Sequence, residues 1–481
     1  MSNYIKVKGS AIELYSMRNN HDDIYGEIKS LALATDLYQM IMAAAYYSSS
    51  YHRERKTVGI FEMFVRKLPK NRSFIVVAGV EQVVQYVLNL CYNDNQISYL
   101  RSLEVFKDVN KEFFDYLRRF KFSGSLWSVP EGTVLFPNEP ILRIEAPIIE
   151  AQLLETCVLS IINFQSLIAT KAARIVSAAG YKPVIEFGSR RAHGPQAGVL
   201  AARGAFIGGC VGTSNTLAGK DFGIPVFGTM AHSFILSHEN ELDALREFNA
   251  MFPTGFLLID TYDTLKAVKK LLRSEIRPYG VRIDSGDLLT LSIETRKLLD
   301  NAGCKDTKIM VSGDLTEQSI SKLLANGAPI DCFAVGTELS TSRDNPTMNG
   351  IYKLVAVKVL NPSKNNGKYE ILYKSKTSVD KETYPGPKQV CRIIEDNALQ
   401  KDILILEDEK PPDKSILLLK KYVEEGNKVF EMPTIFAIQE YTSKQLELLP
   451  TALKSLDVER ALFPVVLSQR LKSLGYPRDP S

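Results

Sequence analysis

Between residues 180 and 345 the chain alternates short apolar runs with stretches of helical spacing. The runs are Pro183-Val-Ile-Glu-Phe, Pro225-Val-Phe, Gly255-Phe-Leu-Leu-Ile, Gly280-Val-Arg-Ile, Lys308-Ile-Met-Val and Asp331-Cys-Phe-Ala-Val. Helical patterns fill 240–251, 263–273, 288–302 and 317–326. Unbroken apolar runs bounded by turn residues predict buried strands, and the strand–helix repeat predicts a parallel sheet. Each run leads into small or charged residues: Glu186-Phe-Gly-Ser-Arg-Arg, Gly228-Thr-Met-Ala-His-Ser, Asp260-Thr-Tyr-Asp, Asp284-Ser-Gly-Asp, Ser312-Gly-Asp and Gly336-Thr-Glu. An open doubly wound sheet gathers function at one switch point, whereas a barrel gathers it from the C-terminal ends of many strands. Six decorated ends therefore favour the barrel over the open sheet, although six strands do not by themselves close an eight-stranded ring.

The flanks have a different texture, which divides the chain into an N-terminal α+β region (1–150), the barrel (151–350) and a C-terminal segment (351–481). Ala34-Thr-Asp-Leu-Tyr-Gln-Met opens a helix, with Thr35 or Asp36 as N-cap and Tyr38 in its first turn. Turn signals at Pro130-Glu-Gly and Pro137-Asn-Glu-Pro between β-prone runs predict a small sheet over 127–147. Beyond Gly350, short strands alternate with turns at Asn361-Pro-Ser-Lys-Asn-Asn-Gly, Tyr384-Pro-Gly-Pro-Lys and Lys410-Pro-Pro-Asp, followed by a helical and then loop-like end.

Composition narrows the classes. The 481 residues carry 59 Lys+Arg against 55 Asp+Glu, a net +4. That is too small for a general nucleic-acid surface, though a local basic pocket remains open. Six cysteines form no CxxC pair, and the first twenty residues lack the apolar core of a signal peptide. The apolar stretch 153–179 is interrupted by Glu155, Asn163, Gln165, Lys171 and Arg174, so it predicts a buried helix, not a membrane span. A cytosolic globular protein with no nucleic-acid or membrane partner is expected.

Several motifs fail. Ser214-Asn-Thr-Leu-Ala-Gly-Lys-Asp outlines a phosphate-binding P-loop, but Ser214 replaces the first glycine and Asp221 replaces the metal-binding hydroxyl. No GxGxxG or GxSxG occurs, and His21, His52, His193, His232 and His238 make no HxH or HExxH pair.

What survives clusters at the strand ends. Arg190 and Arg191 offer two guanidiniums to a carboxylate or phosphate, unless one pairs with Glu186 or another carboxylate. His232 sits among small residues that leave room for a ligand; proton or phosphoryl transfer suits it, and so does a purely structural bond to a carbonyl. His193 and His238 have weaker contexts and read as structural or peripheral. Asp284 and Asp287 can hold Mg²⁺ or accept from a sugar diol; alternatively Asp287 only caps the next helix. Gly212-Thr-Ser, Ser312-Gly-Asp (Ser312, Gly313) and Gly336-Thr-Glu (Gly336, Thr337) present turn amides able to cradle phosphate. Together they point to a phosphorylated sugar with Mg²⁺.

These strings, with Ala34-Thr-Asp-Leu-Tyr-Gln, Phe61-Glu-Met-Phe-Val-Arg, Glu186-Phe-Gly-Ser-Arg-Arg-Ala-His-Gly-Pro, Gly212-Thr-Ser-Asn-Thr-Leu-Ala-Gly, Gly228-Thr-Met-Ala-His-Ser-Phe, Gly280-Val-Arg-Ile-Asp-Ser-Gly-Asp-Leu and Pro387-Lys-Gln-Val, resemble the nicotinate phosphoribosyltransferases. The resemblance implies a type II phosphoribosyltransferase, an irregular TIM-like α/β barrel with a second domain. Its second α+β domain is built from both chain ends, and it acts as a homodimer with the active site near the subunit interface. Nicotinate would displace pyrophosphate from 5-phosphoribosyl 1-pyrophosphate to give nicotinate mononucleotide for NAD synthesis, with ATP as co-substrate acting through a phosphohistidine. It further implies that Tyr38 and Phe187 stack on the pyridine, Arg190 holds its carboxylate, and Thr229 and Arg282 contact nicotinate. His232 would be the phosphorylated catalytic residue beside catalytic Asp284. Thr337, Gly336, Ser312, Gly313, Asp284 and Asp287 would meet the phosphoribosyl substrate, with Mg²⁺ on Asp284 and Asp287. His193 departs from the glutamine of many relatives. Nicotinamide and quinolinate phosphoribosyltransferases of the same fold, and a non-catalytic metabolite sensor, are the rival readings.

Overall fold

The computed structural model describes residues 31–474 apart from 70, 181, 275, 361–367, 377, 379–380 and 457–460. His21, the first twenty residues and the turn at 361–367 lie outside the described residues.

The apolar runs become six parallel strands in the order Gly212–Thr213, Val184–Glu186, Cys332–Val335, Lys308–Val311, Gly280–Ile283, Phe256–Leu258. The last strand in sequence pairs with the first, Phe333 lying opposite Val184. At the Gly212–Thr213 edge, Thr213 also forms an isolated bridge to Val226. The expected strand at Pro225-Val-Phe shrinks to this bridge because Pro225 has no N–H to donate; its carbonyl accepts from Thr213 N, and Phe227 N donates back to Thr213 O. Among the described residues no strand pairing joins Val226 to Phe256–Leu258. The parallel α/β sheet is therefore present, and among the described residues no strand pairing closes it into a ring.

The helices fall where periodicity placed them: Glu241–Met251, Thr264–Arg273, Leu288–Asn301 and Glu317–Ala325, each capped by the side chain just before it (Asn240, Asp263, Asp287, Thr316). Their apolar faces and the strands enclose a core that includes Leu257, Val281, Ile309, Phe333 and Leu299.

A second, antiparallel sheet has seven strands and mixes both ends of the chain. Its order is Tyr369–Tyr373, Gly350–Leu360, Val58–Val65, Pro140–Pro147, Ser125–Ser128, Lys420–Glu424, Asn427–Lys428. The small sheet expected over 127–147 is thus part of a larger one, because its strands pair with Val58–Val65 on one side and Lys420–Glu424 on the other. Helix Glu155–Ala179 joins the two units. Cys157, Val158 and Ile162 enter the core of the antiparallel sheet, and Ile168, Ala172 and Ile175 enter the core of the parallel one. It is long and apolar enough to cross a membrane, but 72% of its apolar window is buried inside the protein. Two of its buried polar residues are paired internally: Gln165 donates to Gln82 at 3.0 Å, and Lys171 donates to Glu317 at 2.6 Å. All six cysteines are free thiols.

Candidate active site

The C-terminal ends of the parallel strands open on one cavity of about 510 Å³, lined by apolar Phe187, Leu288 and Ala334 and otherwise by polar residues and glycines. Parallel strands point all their C-terminal ends the same way, so loops distant in sequence converge there. Of the expected ligand-binding residues, Phe187, Arg190, Arg282, Asp284, Ser312, Gly313, Gly336 and Thr337 line this cavity, and Arg191 and Asp314 join them.

Arg282 is nearly buried. It donates to Thr229 Oγ1 and to the Met230 carbonyl at 3.4 Å, with Asp284 Oδ1 3.6 Å from its other terminal nitrogen. Burial pushes its guanidinium down, and Asp284 and Asp260 oppose that push. Ser312 Oγ donates to Asp284, linking two strand ends. Gly313 adopts φ +107°, and a Cβ there would lie 2.7 Å from the Asp284 carbonyl, so only glycine lets the two loops approach.

Thr229 therefore reaches the site through Arg282. His232 opens helix His232–Leu236, and its Nε2 lies 3.4 Å from Asp260 Oδ1. The other Asp260 oxygen accepts from Asp284 N at 3.1 Å and from Ser285 Oγ at 2.6 Å. Asp260 thus ties His232 to the cavity wall. The sequence offered it only as a decorated strand end; the signal was a carboxylate directly after an apolar run, the same as for Asp284.

Three expectations meet a different structure. Asp287, expected as a metal and substrate ligand, caps helix Leu288–Asn301: it accepts from Thr290 N at 3.3 Å and Thr290 Oγ1 at 2.6 Å, and these bonds hold its carboxyl below the usual range. Gly212–Thr213 forms a buried strand pair, not a cradle on the cavity. Tyr38 lies outside the cavity, 47% exposed on helix Leu37–Ser48, where burial and the Glu155 carboxylate push its hydroxyl up to about 12. Of the minor histidines, His238 is tied to the Phe234 carbonyl at 2.7 Å and to Glu247 at 3.3 Å, while His193 is exposed.

For Mg²⁺ the donor chemistry is right but incomplete. Asp284 lines the cavity, and buried Asp260 Oδ1 accepts no hydrogen bond and faces His232 Nε2 at 3.4 Å. Among the described residues no three His, Cys, Asp or Glu side chains form a metal cage. A hard cation there would take most of its oxygens from water and substrate phosphates, as Mg²⁺ commonly does.

Three guanidiniums, two carboxylates and turn amides around a small cavity define an enzyme for small, multiply anionic substrates. Comparison with known proteins makes the class specific. Residues 33–163 match the nicotinate phosphoribosyltransferase (NAPRTase) N-terminal domain, and residues 183–401 match the nicotinate phosphoribosyltransferase (NAPRTase) family. A nicotinate phosphoribosyltransferase of Mycobacterium tuberculosis is 41% identical, with 92% of each chain covered. That of Bacillus subtilis is 39% identical, covering 92% of this chain and 93% of its own. The crystal structure of human nicotinic acid phosphoribosyltransferase superposes with a TM-score of 0.77 at 27% identity, covering 92% of this chain and 99% of that one. The chain belongs to the nicotinate phosphoribosyltransferase family.

Proposed function

We propose that the chain joins N1 of nicotinate to C1′ of 5-phosphoribosyl 1-pyrophosphate as the C1′–oxygen bond to pyrophosphate breaks, giving nicotinate mononucleotide for NAD biosynthesis. The observation that carries this reading is the convergence of Phe187, Arg190 and Arg282 with Asp284, Ser312, Gly313, Gly336 and Thr337 on one cavity. Phe187 offers a flat apolar face to the pyridine, and Arg190 offers a fork to its carboxylate. The Gly336-Thr337 and Ser312-Gly313 turns meet the phosphoribosyl group. As the bond breaks, positive charge grows on the ribose and negative charge on the leaving pyrophosphate. Asp284 faces the first, and Arg191, the cavity arginine with no pyridine role, faces the second, a preorganised arrangement that needs no rearrangement as charge develops. Mg²⁺, when bound at Asp284, supplies further neutralisation of pyrophosphate.

ATP enters as co-substrate through His232. Asp260 facing Nε2 keeps the proton on that nitrogen and leaves the Nδ1 lone pair to attack the γ-phosphoryl group, with ADP leaving. In this reading the enzyme is a cytosolic homodimer in which Tyr38, with Leu37 and Met42 exposed beside it, completes the neighbour's pyridine site. Six free thiols accord with a reducing compartment.

Label from γ-labelled ATP should appear as an acid-labile phosphoryl group on the wild type and be absent from His232→Ala. Equal labelling of both removes His232 from the mechanism. ATP should also lower a substrate KM in the wild type alone; no such effect, or the same effect in His232→Ala, removes the coupling.

A further inference from the structure

The turn that presents Arg190 is held by a closed ring of hydrogen bonds that the reaction itself does not use. Glu186, the last residue of its strand, is fully buried. One carboxylate oxygen turns back to accept from Gly188 N, and the other accepts from Thr213 Oγ1 at 2.5 Å. Thr213 Oγ1 in turn accepts from Asn215 N at 3.0 Å, and Asn215 Nδ2 donates to Ser189 Oγ at 3.1 Å. The ring runs Glu186, Gly188, Ser189, Asn215, Thr213 and back, and Arg190 follows directly from it.

The other side of the turn is equally confined. A Cβ on Gly188 would come within 2.4 Å of the Ser340 side chain and 2.8 Å of Glu186 Oε1. Ser340 ends helix Thr337–Ser340, whose first residue lines the same cavity. The Arg190 turn is thus pressed between the Thr337 helix and the Thr213–Asn215 segment. A carboxylate buried behind an arginine also serves as its electrostatic counterweight, holding the positive charge at one edge of the cavity.

We propose that Glu186, Thr213 and Asn215 are positioning residues that fix the Arg190 guanidinium for the carboxylate of the pyridine substrate. Thr213, whose segment looked in the sequence like a phosphate cradle, acts through the turn and not on phosphate. The proposal rests on the reading that Arg190 holds that carboxylate.

Steady-state kinetics on Thr213→Val, Thr213→Ser, Ser189→Ala, Arg190→Ala and the double variant Thr213→Val/Arg190→Ala test it. Thr213→Val removes the donor to Glu186 at nearly constant volume. It should raise the nicotinate KM by about 5–30-fold, the factor for one lost hydrogen bond near 1–2 kcal/mol, and change the phosphoribosyl pyrophosphate KM less than twofold. Thr213→Ser keeps the hydroxyl and should restore most of the loss. In the Arg190→Ala background Thr213→Val should cost nothing more. Ser189→Ala, on the half-exposed outer link of the ring, gives the same selective effect in smaller measure and replaces Thr213→Val if the buried change prevents folding. Wild-type nicotinate KM in both Thr213→Val and Ser189→Ala, beside a raised KM in Arg190→Ala, overturns the brace. Additive losses in the double variant also overturn it. An unchanged nicotinate KM in Arg190→Ala overturns the underlying reading instead.

Discussion

Arg282 and Asp260 show what a single side chain does in this site. Arg282 sits between Thr229, the Met230 carbonyl and Asp284, a geometry that a planar fork meets and a lysine cannot. Arg282→Lys should lower kcat/KM for nicotinate by about 10–100-fold, the cost of losing a charge-assisted bidentate contact of 1.4–3 kcal/mol; substrate-saturation kinetics measure it. Asp260→Asn should lose most of the ATP stimulation while retaining ATP-independent turnover, because it strips His232 of its partner. Rates with and without ATP decide this, and a variant with full stimulation would remove Asp260 from that role. Residues such as Arg190, Asp284 and Ser312 were legible in the sequence because each follows an apolar run on the functional side of a parallel sheet. Asp287 was not, since a helix cap and a metal ligand are the same residue type in the same turn. The sequence offers Glu186 only as a carboxylate for arginine pairing. Its main bonds instead go to Gly188 N and Thr213, partners fixed only by the tertiary fold.

At the scale of elements, two family-like strings that touch no substrate pocket meet each other. Phe61-Glu-Met-Phe-Val-Arg supplies Glu62, and Pro387-Lys-Gln-Val supplies Lys388; both side chains are buried, and Lys388 Nζ lies 2.7 Å from Glu62 Oε2. The Lys388 N–H donates to the other Glu62 oxygen at 2.7 Å, and its ammonium also donates to the Tyr384 and Gly386 carbonyls. Burial lowers the lysine, and Glu62 opposes the shift. Lys388→Met leaves a buried carboxylate without its cation and should destabilise by about 3–5 kcal/mol. Glu62→Leu/Lys388→Met removes both charges and should recover much of that loss, as read by urea denaturation. No local periodicity reveals a pair 326 positions apart. Strand and helix positions were legible because apolar period and caps are local, whereas the bridge at Val226 was not, because it depends on which partner Pro225 can still bond.

Over the whole molecule, the near-neutral +4 hides an internal charge network that ties the units together. Asp344 accepts from Arg72 at 2.9 and 3.0 Å and from Lys171 on the long helix at 3.0 Å. Burial favours the neutral acid, but the two cations outweigh it and hold the Asp344 carboxyl at about 2. A depressed folded-state value contributes stability that is present above about pH 4 and lost as pH falls through 2. Asp344→Asn should therefore be less stable at neutral pH and show a flatter acid limb between pH 4 and 2 in thermal melts. The interleaving of chain ends in one antiparallel sheet was implied by family resemblance and could not be read from spacing. Tyr38 on the outer face of that unit gives a test of assembly. Mixed Tyr38→Ala and His232→Ala subunits, each inactive alone, should regain activity on exchange, whereas no recovery after verified exchange would remove the shared site. The central claim is that this cavity selects a pyridine monocarboxylate for phosphoribosyl transfer. The most direct test is to compare kcat/KM for nicotinate, nicotinamide and quinolinate with 5-phosphoribosyl 1-pyrophosphate under identical conditions, following pyrophosphate release. Nicotinate should exceed the other two by at least about 100-fold, as expected when a charged pair is satisfied by one substrate and left unmet by its rivals. Equal or faster turnover of nicotinamide or quinolinate, or no pyrophosphate from any of the three, would contradict the account.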